Sequence, residues 1–255
     1  VKSKHPEITV IGTVGPFYEG ADYDAGWELA RELNVPIVDE HYYVEPGWLL
    51  NNRDFYDNYP RGGTKVYLGE YASHLPGRPN NMETALSTAL YLTDVERNSD
   101  VVAMTSYAPL LAKKDHTQWR PDLIYFDNES VTLTPDYWVQ RMFGTNQGDE
   151  YLPVDLQFET LNPAAARRIG CSVMRQTDTG DLIIKIVNVL PTEITLTPDF
   201  SDLIGSQALK ATLTSLEGTP EESQVSPTSS VVSLESPVSL APYSLSVLRI
   251  AATPQ

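Results

Sequence analysis

Glu70 closes the apolar run Val66-Tyr67-Leu68-Gly69, and Tyr71-Ala72-Ser73-His74 follows it. Strands buried on both faces rarely finish on an unpaired carboxylate. A second β-prone run delivers Asp39, Glu40, His41, Tyr42 and Tyr43, and a third delivers Ser106 and Tyr107. Acids, a histidine and several tyrosines at neighbouring strand ends suit a sugar site. Aromatic rings cover the apolar faces of a sugar, and carboxylates do acid, base or nucleophile work. Each residue has a plainer use. A lone strand-end acid serves equally as a helix cap or a salt-bridge partner, and a lone His41 is more often structural. Tyr42 and Tyr43 must point to opposite sides of their strand, so only one of them faces a pocket. Glu40 is the other strand-end acid near Glu70, and the pleat turns it away. Cys171, the single cysteine, lies in a β-type region with no histidine near it in sequence and reads as a core residue.

The elements that must place these residues alternate over the first 150 residues. Strands are predicted at 8–12, 36–44, 65–72 and 100–108. The first is followed by a helical stretch from Asp24, with Trp27, Ala30 and Leu33 at three-residue spacing, stopped by Asn34 and Pro36. Residues 47–59 read as loop and helix, and 81–98 as a helix with Met82, Leu86, Ala89, Leu90 and Thr93 along one face. Residues 134–144 read as a last helix, with Pro135 in its first turn. Repeated β then α means a parallel sheet with helices outside. Four such units make either an open doubly wound sheet or half of an eight-stranded barrel. In both, sites gather at the carboxyl ends of the strands. From residue 151 onward the chain reads as all-β, with runs at 181–189, 193–200, 208–216 and 240–250 split by turns such as Asp178-Thr179-Gly180-Asp181. That spacing suits a jelly-roll sandwich. The Ser/Thr/Glu/Pro run at 218–230 reads as an exposed loop.

Composition narrows the function classes. The chain has 255 residues, 41% hydrophobic, with a formal net charge of −16. That charge disfavours nucleic acid and anionic membranes as partners, and leaves a neutral sugar comfortable. No stretch approaches the roughly 20 apolar residues of a membrane span. Val1 to Pro6 carries no apolar leader segment, so none is expected in this stretch. A single cysteine leaves the compartment open, with a secreted or periplasmic setting favoured. No cofactor and no metal are expected. "GTVGPFYEG" has glycines without the dinucleotide-binding pattern, and His5, His74 and His116 lack zinc-hydrolase spacing.

Five stretches in order, "DAGWELARELNVPIVDEHYY", "VYLGEYA", "ERNSDVVAMTSYAPLL", "QWRPDLIYFDN" and "TPDYWVQRMF", are similar to the C-terminal half of an α-L-arabinofuranosidase of glycoside hydrolase family fifty-one. The resemblance covers roughly residues 6–145. It implies α/β plus all-β architecture: the C-terminal half, strands five to eight, of a (β/α)8 TIM barrel over 1–149, then a jelly-roll β-sandwich over 150–255. It implies a retaining hydrolase that removes terminal α-L-arabinofuranosyl residues from arabinan- or arabinoxylan-type glycans, with Glu70 as nucleophile. It places His41 and Tyr43 against the arabinose, and suggests Trp119 and Asn128 as further substrate contacts in the loop after the last barrel strand.

One part of the pattern is missing. Retaining enzymes use two carboxyl groups about 5–5.5 Å apart. The family's acid/base glutamate follows an asparagine on the fourth barrel strand, which this chain does not contain. Asn128-Glu129 follows the last strand instead, so Glu129 reads as a surface residue. The chain alone is therefore expected to have little activity. Its open sheet edges call for the missing N-terminal barrel half, or for self-association. Two other readings stand beside this one: a non-catalytic carbohydrate-binding or structural module, and a related glycosidase of other sugar specificity. Few aromatics after residue 150 (Tyr151, Phe158, Phe200 and Tyr243, with no tryptophan) weigh against a binding module.

Overall fold

Alternation of apolar strands with capped helices builds the first half of the molecule. A computed structural model describes residues 1–159, 162–200 and 210–252. Its first elements are β1 (Ile11–Thr13), α1 (Ala21–Glu32), β2 (Ile37–Val44), α2 (Pro46–Asn51), a 3-10 turn (Phe55–Asn58), β3 (Lys65–Ser73), α3 (Met82–Arg97) and β4 (Val102–Tyr107). The four strands form one sheet in the order β1-β2-β3-β4, and every neighbouring pair is parallel. The sheet is open, with β1 and β4 as its edges. The first strand is shorter than expected and begins at Ile11, so Ile8 and Val10 stay exposed. Helix α1 begins three residues before Asp24, and Asn34 leaves it at positive φ ahead of Pro36.

The loop after β4 is less irregular than its sequence suggests. It holds a small sheet of β5 (Leu111–Lys113), β6 (Ile124–Phe126) and β7 (Val131–Leu133). Helix α4 (Pro135–Gly144) follows, with the Thr134 hydroxyl capping the backbone N–H of Tyr137.

The second half contains β8 (Glu150–Leu152), α5 (Pro163–Ala166), β9 (Ile169–Arg175), β10 (Leu182–Asn188), β11 (Ile194–Leu196), β12 (Lys210–Glu217), β13 (Thr228–Ser233), β14 (Val238–Leu240) and β15 (Ser244–Ile250). Six strands pair in the order β13-β12-β15-β10-β9-β8, and β11 pairs with β14 across from them. Ile184, Ile186, Leu248 and Ile250 from the large sheet pack with Val238 and Leu240 from the small one. The layers of this sandwich therefore divide six and two among the described strands. The run at 218–230 is a loop only in part, because β13 begins at Thr228 and pairs with β12. Of the run expected at 208–216, residues 208 and 209 lie outside the described residues.

Helix α3 joins the halves. Asn81 and Thr84 form a reciprocal capping box at its start. Every residue from Thr84 to Val95 is buried, because β3 lies on one side and β9, β10 and β15 lie on the other. A helix buried all round must satisfy its polar residues internally. Ser87 meets Ser73 at 2.9 Å, Thr84 donates to Asp136 at 3.0 Å, and Asp94 pairs with Arg53 at 2.7 Å. Leu86 and Leu90 contribute about 1.5–3 kcal/mol each by burial.

Candidate active site

The orientation of Glu70 depends on one extra residue. Glu40 stands opposite Leu68, but the next residue, His41, stands opposite Glu70. Gly69 is therefore the inserted residue of a β-bulge. With regular alternation Glu70 would share the face of Val66 and Leu68, both fully buried against the helices. The bulge moves it to the open face beside His41. Gly69 fits because a Cβ there would overlap Asp39 Oδ1 and come 3.1 Å from His41 Nε2. Its carbonyl accepts the Ser106 hydroxyl of β4 at 2.6 Å. Ser106 has spent its proton there, so Tyr67 donates to Ser106 at 2.7 Å.

On the open face the groups converge. The Tyr43 hydroxyl donates to Glu70 Oε2 at 2.5 Å, and His41 Nδ1 lies 3.7 Å from the same oxygen. His41 Nε2 bonds Asp39 Oδ2 at 2.8 Å. Tyr43 stacks on His74, with ring centroids 5.1 Å apart and planes 13° off parallel. The Glu70 side chain is 44% exposed, so a ligand can reach it. Burial pushes the Tyr43 phenol upward, and its bond to Glu70 adds to this, so the phenol keeps the proton it donates. Burial pulls His74 down to about 4, helped by the Arg78 charge. Near neutral pH His74 is thus an uncharged ring under Tyr43.

The other face of β2 is different chemistry. Tyr42 is buried while Tyr43 is 40% exposed, so the two tyrosines do take opposite sides. Glu40 is fully buried and accepts from Trp27 at 3.0 Å, Tyr59 at 2.9 Å, Tyr56 at 3.0 Å and Tyr23 at 3.2 Å. It anchors β2 to α1 and the 3-10 turn, away from Glu70. The acid that shares the open face is Asp39. Strand alternation groups 37, 39, 41 and 43, a signal that points to Asp39, whereas Glu40 is the second strand-end acid expected from the sequence.

Trp119 and Asn128 are not drawn into the cluster. Trp119 is 69% exposed, and Asn128 is exposed at the tip of a turn where Asp127 accepts the backbone N–H of Glu129 and Ser130. Among the described residues, no hydrogen bond joins either to Glu70, His41 or Tyr43. Glu129 is exposed in the same turn. Cys171 is partly buried on β9, where burial, with the nearby Glu96 charge, pushes its thiol up to about 12. Such a thiol carries almost no thiolate at neutral pH.

Known proteins share the fold. The arabinose-bound MgGH51 α-L-arabinofuranosidase superposes with a TM-score of 0.82 at 27% identity, over 98% of this chain and 41% of that one. The fold, a parallel α/β sheet joined to an antiparallel sandwich, is thus one that glycoside hydrolases use. The extracellular exo-α-L-arabinofuranosidase of Streptomyces chartreusis is 48% identical over 153 residues, 60% of this chain and 18% of that protein. α-L-Arabinofuranosidase 2 of Arabidopsis thaliana is 32% identical over 74% of this chain and 26% of that protein. The chain spans less than a third of the length of either relative. The profile of the α-L-arabinofuranosidase C-terminal domain matches residues 55–244, and the chain belongs to that family.

Proposed function

We propose that this chain is the nucleophile-bearing part of a retaining α-L-arabinofuranosidase that removes terminal arabinofuranosyl residues from arabinan- or arabinoxylan-type glycans. The observation that carries the reading is the bulge at Gly69, which turns Glu70 onto an open face where Tyr43 donates to one of its oxygens and His41 Nδ1 lies 3.7 Å from the same oxygen. Residues 1–149 supply half of a (β/α)8 barrel, its strands five to eight, and residues 150–255 supply the sandwich. The other Glu70 oxygen attacks the anomeric carbon as the glycosidic C–O bond breaks. A second carboxyl group protonates the leaving oxygen, then takes a proton from the water that releases the sugar. That second group belongs to barrel strands outside these residues, so the chain alone has little activity. The open edges support this, since Ile11 of β1 and Met104 of β4 are 38% and 43% exposed. His41 and Tyr43 line the sugar. Trp119 and Asn128 extend the site along the glycan. An extracellular setting is the reading that the name of the Streptomyces relative supports, and no described helix is long and apolar enough to cross a membrane.

The test is hydrolysis of an aryl α-L-arabinofuranoside by the full-length protein that contains this chain. Glu70→Gln is expected to lower kcat by at least about 10³-fold, a loss of about 4 kcal/mol of transition-state stabilisation. An active wild type with an equally active Glu70→Gln variant removes Glu70 from the nucleophile role.

A further inference from the structure

Asp39 is the open-face residue that the reaction leaves unexplained. Its Oδ2 accepts from His41 Nε2 at 2.8 Å, while its Oδ1 is buried without a partner. An ionised carboxylate only accepts, so the proton of this bond sits on Nε2. Nδ1 is then the nitrogen that faces Glu70, at 3.7 Å. A histidine ring turns freely about its last torsion unless one nitrogen is held. Here the hold comes from Asp39, two residues back on the same strand face. The carboxylate lies directly over Gly69, in space that any other residue would fill. One glycine therefore does two things: its insertion aims Glu70, and its missing side chain seats Asp39.

We propose that Asp39 is a positioning residue, which acts through His41 to set the ring nitrogen presented to Glu70, with Gly69 as its seat. The proposal rests on the reading of Glu70 as nucleophile. Three alternate residues of β2 then form one chain of restraint: Asp39 holds His41, and His41 and Tyr43 flank Glu70 Oε2. A ring rotated away from Glu70 changes what lines Oε2 beside Tyr43. Misplacement of a reacting group by about 1 Å costs on the order of 10²-fold in rate.

The experiment uses the full-length protein and two readouts. Nitrogen-15 histidine NMR follows the Nε2–H proton of His41, assigned by its loss in His41→Gln. It is expected to persist in Glu70→Gln and to disappear into fast exchange in Asp39→Ala. Hydrolysis of an aryl arabinofuranoside is expected to lose about 10²-fold in kcat in Asp39→Ala with KM little changed. Asp39→Asn, which keeps an acceptor oxygen, is expected to recover most of that loss and to retain the proton. Persistence of the proton in Asp39→Ala overturns the hold on His41. Loss of the proton with unchanged kcat overturns the positioning role. A wild type that hydrolyses no arabinofuranoside removes the function proposed above, while the NMR comparison still decides whether Asp39 orients His41.

Discussion

Replacing Glu40 by alanine should destabilise the protein by about 3–5 kcal/mol without touching the open face. The side chain is fully buried, with four donors on its carboxylate. Three of those donors have somewhere else to turn. Tyr56 lies 3.0 Å from the Tyr42 hydroxyl, the Trp27 N–H also reaches the Tyr23 hydroxyl, and Tyr23 can donate to Tyr59. The Tyr59 hydroxyl at the end of that chain is left without an acceptor for its own proton once Glu40 is gone, and a buried donor left unpaired costs about 1–3 kcal/mol. The cavity adds roughly 2 kcal/mol. Burial also raises the Glu40 carboxyl above its ordinary 4.5, against the bonds from Tyr59, Tyr56, Trp27 and Tyr23. A carboxyl with a raised folded pKa stabilises fully below its unfolded value, and that contribution is lost as pH rises through the folded value. Glu40→Gln carries no such proton, so the advantage of the wild type over it should shrink from about pH 5 upward. Urea unfolding followed by tryptophan fluorescence at pH 4.5, 6 and 7.5 measures both effects. A cost below about 1 kcal/mol for Glu40→Ala, or a wild-type advantage over Glu40→Gln that is flat with pH, refutes the reasoning.

Tyr43→Phe removes the hydroxyl bonded to Glu70 at 2.5 Å. It should lower kcat on an aryl arabinofuranoside about tenfold, as expected for one bond of about 1.4 kcal/mol, with an unchanged melting temperature. Lys185 is fully buried on β10 and bonds Glu96 of α3 at 2.7 Å. Glu96→Gln strands that ammonium and should cost about 3 kcal/mol in thermal unfolding, most of it recovered when Lys185→Met is added. Burial, opposed by Glu96, holds the Lys185 pKa below 10.5, so the Glu96→Gln deficit should narrow as alkaline pH removes the proton. Trp119→Ala should leave stability within about 0.5 kcal/mol and raise KM for arabino-oligosaccharides but not for a small aryl substrate. An equal rise for both substrates takes Trp119 out of the extended subsite.

The sequence by itself determined the elements and the residue types at their ends. Local signals were enough: apolar periodicity over 81–98, Pro135 in the first turn of the last helix, and Pro36 after Asn34. Glu70, His41 and the Tyr42-Tyr43 pair are visible where apolar runs end, and the resemblance to a family, not position, singled out His41 and Tyr43. Their mutual arrangement was not legible. Strand alternation counted along β3 puts Glu70 with Val66 and Leu68, on the buried face. Only the pairing with β2 and β4 inserts Gly69 and reverses that count. The cause lies in Asp39 and Ser106, 30 and 37 positions from Gly69 in the chain, whose side chain and hydroxyl fill and hold the bulge. The polar residues of α3 were hidden for a similar reason. Ser87 and Asp94 mark an exposed helix face by composition, yet packing covers it, and Ser73 of β3 and Arg53 are their partners. Periodicity is a property of neighbours along the chain, and it fixes what forms. Which face an acid occupies is a property of neighbours in space, and the tertiary structure decided it.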